Sequence, residues 1–69
     1  MDSKFKIGDI FHRKNSRDTV QLKVIEIIYS NVEPEYILST IRYNVDNKIT
    51  LGQDTLDELY YLVKNVKNN

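Results

Sequence analysis

The 69-residue chain has no cysteine, no alanine and no tryptophan, one histidine, one proline and two glycines. Without cysteine there is no disulfide, no thiolate nucleophile and no Cys-based zinc site, so stability has to come from packing. The lone histidine, His12, has no second imidazole with which to share a metal, and it reads as a solvated loop residue beside Arg13. Gly8 and Gly52 stand far apart, so neither belongs to a phosphate-cradling loop. No apolar run approaches the ~18 residues of a membrane span. The opening MDSKFKIGD also lacks the apolar stretch of a secretory signal, which predicts a soluble, cytoplasmic protein without a membrane partner. The chain is too short for two domains, and residues 1–69 are expected to form one small domain whose tail frays from about residue 65.

What is present leans toward strands. Eight Ile and five Tyr favour β structure, and the missing alanine removes a leading helix former. The hydrophobic residues, 41% of the chain, suffice for one thin core but not for a deep, walled cavity. A non-enzymatic protein with no cofactor and no resident metal is therefore expected. The formal charge is zero, but by segregation. Residues 1 to 23 carry six basic and three acidic side chains, a net of +3, whereas residues 24 to 63 carry two basic and seven acidic, a net of −5. Such asymmetry can mark a polyanion-binding end, although a neutral total gives it weak support.

Phe5 and Ile7 lead into Gly8-Asp9, a tight turn in which glycine allows positive φ, and Ile10-Phe11 begins a short first strand. The apolar-free stretch His12 to Asp18 reads as a loop. In residues 20 to 29, Val20, Leu22 and Val24 alternate and then change phase to Ile25, Ile27 and Tyr29. A strand that switches its buried face midway must bend or carry a bulge. Residues 36 to 43 could be a helix started by Pro34, but Tyr36, Ile37, Thr40, Ile41 and Tyr43 favour a strand. Asn44 to Asn47 makes a polar hairpin turn into a fourth strand at Lys48 to Leu51.

Thr55 with Glu58 matches a capping box. Leu56, Leu59, Tyr60 and Val63 then follow at helical spacing, widened by Leu62 and Val66, and predict a C-terminal helix docked on the sheet. Asp57 and Glu58 at its start and Lys64 and Lys67 at its end suit its dipole. The whole reads as a strongly bent antiparallel sheet capped by that helix.

Three stretches carry a likeness: F-K-I-G-D-I-F from Phe5 to Phe11, Tyr36-Ile37-Leu38, and T-L-x-x-L-x-x-L-V from Thr55 to Val63 after the Ile49/Leu51 strand. Over residues 5 to 63 the chain resembles small SH3-like barrel proteins encoded by phages, prophages and plasmids of low-GC Gram-positive bacteria. The resemblance implies a small SH3-like barrel of four to five antiparallel strands with a C-terminal α-helix. It also implies a non-catalytic accessory or inhibitor protein of a mobile element, acting on a host protein. The chain departs from peptide-binding SH3 domains in having no tryptophan, so recognition of Pro-rich peptides is not expected.

Two surfaces are candidates for binding. Tyr61, with Tyr36 and Tyr43, offers aromatic anchors for a host protein, since an exposed tyrosine supplies area and a hydroxyl at low entropy cost. The basic stretch His12, Arg13, Lys14 and Arg17, with Lys4 or Lys6 nearby, could follow a nucleic-acid backbone while Phe11 or a tyrosine stacks on bases. Asp54, Asp57 and Glu58 are the one carboxylate cluster, and helix capping already accounts for them. The protein-binding module ranks first on sequence and the nucleic-acid-binding module second, acting as a monomer or as a homodimer formed through a free strand edge.

Overall fold

The computed structural model describes residues 3–17, 20–41 and 47–65. They form β1 (Ile10–Arg13), β2 (Gln21–Ile28), β3 (Glu35–Thr40), β4 (Lys48–Gly52), the short helix α1 (Gln53–Leu59) and β5 (Tyr60–Lys64). The five strands make one antiparallel sheet in the order β4-β3-β2-β1-β5. The expected β-rich antiparallel fold and the strand at β3 are both present.

The phase change in β2 has a clear structural counterpart. Val24 pairs with Leu38 and Glu26 with Ile37, so Ile25 is the extra residue of a bulge. The bulge lets Leu22 and Val24 on one side of it, and Ile27 on the other, all face the core. The turn at Gly8 is also as expected, with φ of 99° and the Asp9 carboxylate accepting from Lys6 N at 2.9 Å.

Expectations for the closure of the sheet and for the helix are corrected. The sheet does not close into a barrel: β4 and β5 are its two edges, and no ladder joins them among the described residues. Their gap is filled by α1 and the N-terminal segment, which place Leu56 and Phe5 in a core with Phe11, Leu22, Val24, Tyr36 and Leu38. The helix is also not C-terminal, because it stops at Leu59 and the chain continues as a strand. Tyr60 and Leu62 are half-buried against the core while Tyr61 and Val63 are exposed, a period of two that no helix can supply. Pairing of Tyr60, Tyr61 and Leu62 with Arg13, His12 and Phe11 satisfies the outer edge of β1, which a C-terminal helix would have left open.

The capping box is absent as well. The N-cap is Gly52, no side chain caps the helix, and Thr55 lies within the first turn. The helix takes hold instead through Gln53, whose backbone N–H donates to Pro34 O at 3.0 Å. Leu59 is 42% exposed rather than docked, and with the helix ending there Lys64 belongs to β5, not to a helix terminus. Val66, Lys67, Tyr43 and the hairpin turn at Asn44 to Asp46 lie outside the described residues.

Candidate functional site

The inner face of the sheet is occupied by the core, so the outer face is what the fold presents. On β1, buried Phe11 lies between Ile10 and His12, and alternation therefore turns both of these outward. The same logic turns Lys23 outward between buried Leu22 and Val24.

Register then assembles rows across the sheet. Lys64 pairs with Ile10, Ile10 with Lys23, Lys23 with Ser39, and Ser39 with Lys48. Three lysines from β5, β2 and β4 thus share one transverse row on the outer face, all exposed, with Ile10 and Ser39 between them. Each lysine sits two inter-strand steps from the next, about 9.5 Å in backbone spacing.

Two residues along β1, about 6.7 Å away, a second row runs through Tyr61, His12 and Gln21. Its aromatic members touch: the Tyr61 and His12 rings are 5.4 Å apart and tilted by 49°. Tyr61 is 48% exposed, so ring surface remains open to solvent. Beyond the lysine row in the other direction come Glu26 with Ile37 and Thr50, and then Ile28 with Glu35 and Gly52. The outer face thus grades from aromatic through basic to acidic and apolar.

The residues singled out from sequence are dispersed by this geometry. Tyr61 stands on the outer face, though on a strand and not a helix. Tyr36 has no exposed surface and belongs to the core, which removes it as a partner anchor. Tyr43 lies outside the described residues. Phe11 is buried beneath the sheet and cannot stack on a base. His12 is half-buried within β1 beside Tyr61, not a solvated loop residue, because β1 extends through Arg13.

Arg13 and Lys14 turn away from the lysine row into a cleft of about 500 Å³, lined also by Asn15, Ser16, Glu58 and Leu59. Lys14 Nζ donates to Asp57 O at 3.3 Å, and its backbone N–H donates to Leu59 O at 2.9 Å, so this basic loop is tied to the acidic helix. Arg17 is exposed on the loop. In the carboxylate cluster, Asp57 Oδ2 accepts from Lys4 Nζ at 3.0 Å, and Asp54 and Glu58 are exposed.

Lys23, Lys48 and Lys64 form no cluster in the chain, being 25 and 16 residues apart along it. The alternation of β2 placed Lys23 opposite the core, but the row needs β5 beside β1. The helical reading of residues 55 to 66 hid that pairing.

Comparison with known proteins gives no match to any protein-family model, curated protein or solved structure. No helix among the described residues is long and apolar enough to cross a membrane.

Proposed function

We propose that this chain is a non-enzymatic binding module whose ligand is a nucleic acid held on the outer face of the sheet. The observation that carries the reading is the lysine row Lys64–Lys23–Lys48 lying beside the Tyr61–His12 row. Phosphate contacts from lysine supply sequence-independent affinity, and an aromatic row next to them supplies a surface for bases. The acids of α1 sit with the core-side helix, Asp57 is engaged by Lys4, and among the described residues the acids sharing the outer face, Glu26 and Glu35, lie beyond the lysine row from Tyr61. The net of −5 over residues 24 to 63 therefore does not bear evenly on this surface. The non-enzymatic part rests on chemistry: the one imidazole packs against a tyrosine on an open face, and no thiol is present.

A host-protein partner, as the likeness to mobile-element accessory proteins implies, is the second reading. It is favoured by Ile28, Tyr29 and Val32, which are exposed together near the β2–β3 turn. A cytoplasmic setting accords with either reading.

The test is fluorescence anisotropy of a labelled oligonucleotide titrated with the protein at several salt concentrations. Binding that weakens linearly in log Kd against log salt supports the proposal. No binding at ~50 mM salt would discard it in favour of the protein partner.

A further inference from the structure

We infer that the nucleic acid is a single strand laid across the β-strands, with its phosphates along Lys64, Lys23 and Lys48 and a base stacked on Tyr61. This rests on the nucleic-acid reading proposed above and names its form.

The two rows lie two residues apart on β1, where Ile10 and His12 are the outward residues flanking Phe11, and on β5 a bulge at Val63 sets Lys64 three residues from Tyr61. Along β1 the rows are therefore offset by about 6.7 Å of backbone, in a direction perpendicular to the rows. A single strand has its phosphates on one side and its unpaired bases on the other, so one strand can meet both rows at once. In a duplex the faces of the bases are covered by their neighbours, and Tyr61 would have nothing to stack on.

The rows also run perpendicular to the β-strands, which fixes the path. Lys64 on one edge strand and Lys48 on the other mark its two ends, and Lys23 on the central strand marks its middle. Three cations in a line track a flexible backbone, whereas a clustered patch would suit a compact anion. Glu26, one row beyond the lysines, repels the backbone from that side and sets which side of the lysines the bases take. His12, 5.4 Å from Tyr61 and half-buried, packs beside the tyrosine ring at a 49° tilt instead of offering a second open platform.

Oligo-dT of about 12 nucleotides, within the ~4–16 spanned by comparable sheet surfaces, is the probe, compared with its duplex and with heparin. Tyr61→Ala and Tyr61→Phe are tested beside the wild type, each checked for an unchanged thermal melt. The expected result is single-strand binding at least about tenfold tighter than duplex binding. Tyr61→Ala should weaken the single strand by about 5- to 150-fold and leave heparin unchanged, and Tyr61→Phe, which keeps the ring, should restore the loss. If duplex and heparin bind as tightly as oligo-dT and Tyr61→Ala changes nothing, the single-strand inference is overturned while polyanion binding stands. If none of the three binds at ~50 mM salt, the underlying nucleic-acid reading fails with it. Self-association that is lost in Lys23→Ala would place a second copy on this face and would likewise overturn the inference.

Discussion

The Tyr36 hydroxyl donates a 2.6 Å hydrogen bond to Gln53 Oε1, joining the start of β3 to the first turn of α1. The same amide oxygen accepts from Lys4 N at 2.8 Å, and the Tyr36 oxygen accepts from Phe5 N at 3.3 Å. One buried phenol thus links the sheet, the helix and the N-terminal segment. Its ring packs edge-on to Phe5, with centroids 5.6 Å apart, and Phe5 in turn packs edge-on to Phe11 at 4.8 Å.

Tyr36→Phe keeps the ring and deletes the hub, taking the acceptor from Phe5 N while Gln53 Oε1 keeps its bond from Lys4 N. It should cost ~1–3 kcal/mol, read as a lower urea midpoint at unchanged slope. Tyr36→Ala should cost ~3–5 kcal/mol, enough to unfold most of a domain this small.

Leu56 and Leu59 are three residues apart on α1 with opposite fates: Leu56 is fully buried, and Leu59 lines the open cleft beside Arg13 and Lys14. Leu56→Ala should cost ~2–5 kcal/mol, whereas Leu59→Ala should stay within about 1 kcal/mol. Equal losses in the two denaturation curves would mean that Leu59 is packed in solution.

Thr55→Ala and Glu58→Ala should each change stability by no more than ~0.5 kcal/mol, because neither side chain caps the helix and both are exposed. A loss of ~1 kcal/mol or more in either variant would show that the capping box forms after all.

The C-terminal third illustrates what was legible in the chain and what was not. Leu56, Leu59, Tyr60 and Val63 satisfy a helical period, while Tyr60 and Leu62 satisfy a strand period against Tyr61 and Val63. The two patterns overlap, and the choice between them is made by a partner 51 residues away in sequence: β1 pairs with β5 through Phe11 and Leu62. Local propensity carries no information about that partner. By contrast, the β2 bulge was legible because its cause lies within the strand itself, in the phase change at Val24-Ile25.

The candidate site was harder to see for the same reason. Tyr61 was visible as an exposed aromatic, but the lysines beside it come from three strands. Their alignment follows from the strand order β4-β3-β2-β1-β5, not from any local motif. The charge run at Arg13, Lys14 and Arg17 was the conspicuous basic feature of the sequence. The structure ties Lys14 to the acidic helix and sets Arg13 in a cleft with Glu58, on the side of the molecule away from the lysine row.

If nucleic acid binds the outer face, the lysine row carries the phosphate contacts. The decisive measurement is the log-log salt slope of oligo-dT binding for the wild type, for Lys23→Ala/Lys48→Ala/Lys64→Ala, and for Arg13→Ala/Lys14→Ala/Arg17→Ala, each confirmed to be folded. At about −0.7 per single-strand phosphate contact, removing the row should make the slope shallower by about 2, and removing the loop cations should change it by less. An unchanged slope in the row variant, with the loop variant taking the loss instead, would place the phosphate contacts on the loop and not on the lysine row.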